Sequence, residues 1–361
     1  MNPVFPTTIG FRRHLASVAC LFILLPFLAV ALPGAGSARA DWREDLGTLR
    51  IGIVSGGGAG DMTNGAEPFR LAVQEALGIP VEFYTAPDIT ALSTAQSEGR
   101  VEYAIMPASG YAATWANCEC VEPLVVARSG DGSTGFRSLV VASRLSGIDA
   151  PMDLQGKRIM TLGADSIGGK AWPLYAIAKE GIALEKPGMA TIIDAAGSED
   201  AVSRFLGGEA DVLLGWSSFT GEPSSGYTRG TLRQLNDLSG GNLGAYKVIW
   251  RSQEFPNRTH SVRKNLAVEA KTSLRELLLG LFENDPVAYD AIEPLFGGGF
   301  APASQAIYVP VVEFVRDPLR VGVLAADTPR DDEDGETAPA TGKETVLPDT
   351  QLRTGTPVQA N

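Results

Sequence analysis

The chain has 361 residues, with 42 acidic against 30 basic side chains and a formal net charge of −12. So acidic a chain is not built to neutralise nucleic-acid phosphates or to lie on an anionic membrane surface. Its length can bury a large core and divides most simply into two lobes.

Arg12 and Arg13 precede an apolar run from Leu15 to Leu32, and the small-residue site Ala38-Arg39-Ala40 follows. That is the order of a secretory signal peptide, so residues 1–40 are expected to leave by cleavage after Ala40. An uncleaved anchor is the alternative, because the run nearly reaches bilayer length. Cleavage removes three bases and no acid, which takes the net charge from −12 to −15. The mature chain then keeps two cysteines, Cys118 and Cys120, and one histidine, His260. A C-x-C pair is not a zinc site without two further ligands. Two part-buried thiols and a local disulfide both remain open in an oxidising compartment. One histidine rules out an H-E-x-x-H site and a multi-histidine metal cluster. No catalytic residue, metal or cofactor is assigned.

The folded body begins near Gly47. Leu49–Val54 alternates as a strand and runs into the glycine-rich loop Ser55-Gly56-Gly57-Gly58. The loop lacks the G-K-[ST] ending of a phosphate-binding loop. It reads either as a plain turn or as a ligand loop at a strand's carboxyl end, with Ser55 and Gly56 as the candidates. A helix over Pro68–Leu77, a strand over Val81–Tyr84, a helix over Ile89–Glu98 and a strand over Val101–Met106 complete a β-α-β-α-β rhythm. Ser109 and Tyr111 follow the last strand and are expected to face the same crevice. The other reading of Tyr111 is an aromatic on a helix face packed against the sheet.

Phe136–Ala142 is the next strand. After the polar turn Asp153-Leu154-Gln155-Gly156, Ile159–Leu162 reads as a short buried strand. Ser166-Ile167-Gly168-Gly169 then opens a helix through Trp172, Leu174 and Ile177. A serine cap and two glycines leave backbone N–H groups bare at the positive helix end, a cradle for an anion or a polar ligand. Met189–Ile193 is a strand, Gly197-Ser198-Glu199 starts a helix, and Glu209–Gly215 is a strand ending at Trp216. The segment to Gly244 reads as loop and Lys247–Trp250 as a strand. The strand leads to Pro256, and from there to about Leu319 the chain reads as helical. From Asp327 on it holds eight acids and three bases and too little apolar surface to order it.

Three stretches resemble the phosphate/phosphite/phosphonate-type periplasmic solute-binding proteins of ABC transporters. They are Ser138 to Ile159, S-I-G-G-K-A-W-P-L-Y-A-I-A-K-E-G-I from Ser166 to Ile182, and Ile249 to Leu266. The resemblance implies an α/β, two-lobed periplasmic-binding-protein fold of type II, with the ligand in a cleft between the lobes. It implies a first lobe from 41 to 143, a second from 144 to 244 and a return to the first over 245–320, while composition makes 321–361 an acidic disordered tail. It puts hinge strands near Ser138–Ser143 and Ala245–Arg251. It implies a monomer in the periplasm that binds a small-molecule solute, delivers it to a membrane permease, and is not an enzyme. A TRAP-type receptor and an exported sensor or adaptor are the alternatives.

The ligand residues carried over are Ser55, Gly56, Ser109, Tyr111, Ser166, Ile167, Gly168, Gly169, Glu199 and Trp216. The chain departs from the family pattern where S-T-S-G becomes S-I-G-G, where a histidine becomes Glu199, and where a tyrosine becomes Phe136. If Glu199 faces the ligand, one like charge at about 4 Å and an effective dielectric near 20 costs on the order of 4 kcal/mol. Such a site is expected to bind simple phosphonates weakly and to prefer a neutral, zwitterionic or cationic solute.

Overall fold

The structure is a computed structural model that describes residues 41–54 and 65–317. The signal segment with its cleavage site, the loop carrying Ser55 and Gly56, and the acidic tail lie outside the described residues.

The chain opens with helix α1 (Trp42–Leu46), strand β1 (Leu49–Val54), α2 (Glu67–Leu77), β2 (Val81–Ala86), α3 (Ile89–Ser97), β3 (Tyr103–Met106) and α4 (Ala108–Cys118). It continues through β4 (Val121–Ser129), β5 (Gly135–Ser143), β6 (Arg158–Thr161), a wide turn (Ile167–Ala171) leading into α5 (Trp172–Lys179), β7 (Thr191–Asp194), α6 (Ser198–Leu206), β8 (Val212–Ser217) and α7 (Thr231–Leu238). The described chain ends with β9 (Tyr246–Pro256), β10 (Thr259–Arg263), α8 (Val268–Asn284), α9 (Pro286–Asp290), β11 (Gly297–Pro302) and α10 (Val309–Val315).

Local chemistry accounts for the helix limits. Phe69, Val73 and Leu77 recur at four-residue spacing and give α2 one buried stripe, and Gly78 stops it at φ 68. Asp88 accepts the Ala91 N–H at 2.7 Å and caps α3.

Two sheets result. The first has six strands in the order β11-β4-β10-β3-β1-β2, and the second has five in the order β7-β6-β8-β5-β9. In the first, β1 pairs parallel with both β2 and β3. In the second, β6 pairs parallel with both β7 and β8. The chain order reverses between β1 and β3 and again between β6 and β8. In open α/β sheets, ligands bind at such switch points beyond the carboxyl ends of the strands. One side of the first sheet packs Leu49, Ile51, Phe69, Tyr103 and Val262 against Leu274, Leu278 and Leu281 of α8.

Several expectations are corrected. The strands near Ser138–Ser143 and Ala245–Arg251 are β5 and β9, which pair antiparallel at one edge of the second sheet. The chain passes between the sheets at residues 130–134, joining β4 to β5, and at Asn257-Arg258, joining β9 to β10. Strand periodicity shows that a segment is a strand but not which sheet pairs with it. The stretch after Pro256 is not helical throughout, because β10 and β11 both pair antiparallel with β4. The polar Thr259, His260 and Ser261 hide β10 from a hydrophobicity reading, yet all three are buried. Helix α7 occupies part of the expected loop before Gly244, burying Leu232 and Leu235.

Candidate functional site

One buried cluster joins the first sheet and the helices over it to the turn and helix after β6. Val54, Ala86 and Met106 end β1, β2 and β3; Tyr111 lies on α4; Ile167, Ala171, Trp172 and Tyr175 come from the second sheet's turn and helix. Tyr308 and Phe314, after β11, complete it. The two chain crossings lie beside this contact. Phe255, next to the second crossing, stacks on Phe136 with ring centroids 5.3 Å apart and 20° between planes. Trp172 meets Phe255 and Phe314 edge to face, at 5.3 and 5.4 Å.

The turn at Ser166 is built as a cap. Ser166 Oγ accepts the Gly169 N–H at 3.0 Å. The Ala171 N–H reaches five residues back to the Ser166 carbonyl at 3.0 Å, which makes the first turn wider than an α-turn. The Ser138 hydroxyl donates to the Gly168 carbonyl at 2.6 Å and pins the turn to β5. Both glycines are needed for space. A Cβ on Gly168 would stand 2.9 Å from the Phe136 ring and 3.3 Å from Trp216 Cβ. A Cβ on Gly169 would stand 2.3 Å from Leu162 Cγ. Ser166, Ile167, Gly168, Gly169 and Trp216 are therefore brought together, with Phe136 as a neighbour of Gly168.

Trp216 is held from below. Its backbone N–H donates to Thr231 Oγ1 at 3.1 Å. Gly230, at φ 102, passes so close that a Cβ would lie 2.4 Å from the Trp216 carbonyl oxygen, a place only glycine can take. The Trp216 and Phe136 ring centroids are 5.7 Å apart.

Ser109 and Tyr111 sit in the first turn of α4, and both are fully buried. Tyr111 packs on Tyr308 with ring centroids 4.5 Å apart, and its hydroxyl donates to Gln305 Oε1. Burial pushes the Tyr111 phenol far above its ordinary range, so it acts as a neutral donor. Tyr111 and Ile167 share the inter-sheet cluster. Glu199 is exposed in the first turn of α6, where an acid also suits the helix dipole. Nearby, Asp194 ends β7 and takes hydrogen bonds from Thr161 at 2.7 Å and Lys170 at 2.8 Å. Burial alone would raise the Asp194 carboxyl, but Lys170 and Thr161 outweigh it and hold the group below its ordinary value.

A polar clasp that the sequence did not announce surrounds the first crossing. Asp131 accepts from the Ser133 N–H at 2.9 Å, from the Ser133 hydroxyl at 2.6 Å and from the Thr228 hydroxyl. Burial pushes its carboxyl up, and these donors pull it well below the usual carboxylate range. Arg229 Nε lies 3.5 Å from Asp131 Oδ2, and Arg229 Nη2 donates to Ser129 Oγ at 2.6 Å. The same guanidinium stands 5.8 Å from the Trp216 ring centroid. A loop of the second sheet thus grips the end of β4 in the first. No local pattern links Asp131 to Thr228 and Arg229, nearly a hundred residues on.

Among the described residues no group of three or more histidine, cysteine or acidic side chains is placed to hold a metal ion. No described helix is long and apolar enough to cross a membrane.

Comparison with known proteins agrees with this architecture. Residues 51–308 match the family described as "ABC transporter, phosphonate, periplasmic substrate-binding protein". The structure is similar to XAC2383 from Xanthomonas citri bound to ATP, at 20% identity and a TM-score of 0.53, covering 75% of this chain and 98% of that one. PhnD1 from Prochlorococcus marinus in complex with methylphosphonate is similar at 13% identity and a TM-score of 0.45, covering 75% of this chain and 97% of that one. The two-sheet α/β fold is that of type II periplasmic binding proteins. With most of its described body inside the match, the chain belongs to the phosphonate-type periplasmic substrate-binding proteins of ABC transporters.

Proposed function

We propose that this protein captures a small solute between its two sheets, as a monomer and without turnover, and hands it to the membrane permease of an ABC transporter. One observation carries the reading. The carboxyl ends of β1, β2 and β3 share one buried cluster with Ile167 and the start of α5, while among the described residues two short crossings join the sheets. Bodies joined in this way open and close by a hinge, driven by a ligand that binds the closed form better. The residues proposed to face the solute are Ser109, Tyr111, Ser166, Ile167, Gly168, Gly169, Glu199 and Trp216.

The proposed solute is neutral, zwitterionic or cationic. Phe136, Trp216 and Phe255 give the turn an aromatic surround. Lys170, the cation nearest the turn in sequence, is already paired with Asp194. Because Glu199 is exposed, its repulsion of an anion at about 4 Å falls to about 1 kcal/mol in a water-like dielectric, roughly fivefold in affinity. The preference therefore rests on the missing hydroxyls and the engaged cation more than on Glu199.

Calorimetry with the mature protein against methylphosphonate, inorganic phosphate and alkylammonium compounds tests the chemistry. The expected result is weak or absent phosphonate binding, gaining no more than about fivefold in Glu199→Gln. Submicromolar methylphosphonate binding by the wild type would overturn the charge reading. Small-angle scattering with a bound solute should show a smaller radius of gyration, and an unchanged radius with a tight ligand would refute hinge closure.

A further inference from the structure

The residues Cys118 and Cys120 form a disulfide across a single intervening residue, with Cα atoms 5.0 Å apart. It ties the last residue of α4 to the residue before β4. A ring this small removes little freedom from the unfolded chain, and stabilisation by a disulfide grows with the loop it closes. The bond is thus a poor staple. Glu119 between the cysteines takes φ 49, the left-handed cap that ends α4 with its N–H on the Trp115 carbonyl, unusual for a residue with a side chain. Both cysteines are part-exposed and both residues flanking Cys118 are exposed, so a reagent can reach the ring.

The two sulfurs stand in different fields. Arg263 Nη1 lies 3.5 Å from Cys120 Sγ while it also donates to the Gln96 and Ser97 carbonyls, and Cys120 Sγ lies 3.8 Å from the Ser97 carbonyl oxygen. Cys118 ends a helix, where the partial charge is negative, and its Sγ lies 3.3 Å from the Thr114 carbonyl oxygen, with the Cys120 N–H at 3.2 Å as its one donor. The other charged groups around the ring are Lys264, whose Nζ donates to the Glu119 carbonyl, and Glu119 itself, 3.6 Å from Arg316. Glu122 is already paired with Lys271 at 2.7 Å. A thiolate is favoured beside a cation, and the better leaving group is the thiol of lower pKa.

We propose that the Cys118–Cys120 disulfide is a thiol-exchange site, opened by a dithiol that attacks Cys118 Sγ while Cys120 leaves as a thiolate beside Arg263. In the first step the dithiol's thiolate forms a mixed disulfide with Cys118, and the bond to Cys120 Sγ breaks with its electron pair staying on Cys120. In the second step the reagent's other thiol, losing its proton, attacks its own bound sulfur and releases Cys118. Two electrons pass from the dithiol, which becomes a cyclic disulfide, to the protein, which ends with two thiols.

The test uses the oxidised full-length mature chain with dithiothreitol at pH 7, alkylation of free thiols, and mass measurement. Reduction should run to completion in the folded protein at a rate proportional to reductant concentration, with the circular dichroism spectrum of the fold retained. A rate independent of reductant and equal to that of global unfolding would make the bond merely structural and sink the proposal. Arg263→Met should slow reduction by about three- to tenfold, and Arg263→Lys should keep most of the rate. In Cys118→Ser the Cys120 thiolate, followed by ultraviolet absorbance, should form below the free-cysteine value of about 8.5. Titration at or above that value with Arg263 in place would refute the assigned direction of attack.

Discussion

The glycines of the Ser166 turn allow a test that needs no ligand. Neither Gly168 nor Gly169 has a positive φ, so alanine at either is conformationally allowed, and in open space it would stabilise by about 0.5–1 kcal/mol. The structure reverses that sign at Gly169. A Cβ there would lie 2.3 Å from Leu162 Cγ and 2.6 Å from Leu162 Cβ. These are atoms near the root of the leucine, not a tip that can swing aside, and Leu162 is only 6% exposed. Overpacking of this kind costs about 1–3 kcal/mol, so Gly169→Ala should lose on the order of 1–2 kcal/mol net. At Gly168 the obstacle is the edge of the Phe136 ring at 2.9 Å, which can tilt, so the loss should be smaller. Urea unfolding at constant slope reads both values from the midpoints. Leu162→Ala alone should cost about 2–5 kcal/mol, and combined with Gly169→Ala it should cost less than the sum by about 1 kcal/mol, because each makes room for the other. A Gly169→Ala midpoint equal to or above wild type, or full additivity with Leu162→Ala, would show that the turn is not packed against Leu162 as described.

Three further outcomes are expected. His260 is fully buried, with the Tyr103 hydroxyl donating to Nδ1 and Nε2–H donating to Glu293 at 2.8 Å; burial lowers its pKa although Glu293 opposes the shift. The unfolded chain therefore takes up a proton that the folded one resists. Stability should be steady above about pH 6.5 and fall as pH drops below it, and His260→Gln should flatten that part of the urea-midpoint profile; a profile unchanged by the substitution would refute this. Arg229→Met should destabilise by roughly 1.5–3 kcal/mol through loss of charged hydrogen bonds to Ser129 and Ser133 and of the ion pair with Asp131, whereas a midpoint shift below about 0.3 kcal/mol would leave the clasp without energetic content. Ser138→Ala leaves the buried Gly168 carbonyl without its hydroxyl donor and should cost about 1–3 kcal/mol, checked by the same denaturation series; no measurable cost would mean that the carbonyl finds another partner.

The parallel βα units were legible in the sequence because their signals are local. Leu49–Val54 and Val212–Ser217 are short apolar strands followed by turn residues, and Asp88, Ser166 and Gly78 mark helix ends through chemistry within three or four residues. The cap turn, the cluster of glycines and Trp216 at a strand end could be named as site candidates on that basis. What the sequence could not contain was partnership. β10 reads as polar until β3 and β4 flank it, and nothing in β5 marks β8 and β9 as its partners. Tyr111 meets Gln305 across 194 residues, and Thr228 meets Asp131 across 97. The state of Cys118 and Cys120 stayed open until the left-handed turn at Glu119 brought their sulfurs together. Periodicity and capping act over one or two turns of chain, so the sequence by itself determined the elements and their ends. Antiparallel pairing, the place of the crossings and the company each buried polar group keeps depend on which distant segments pack together, and only the tertiary structure decided those.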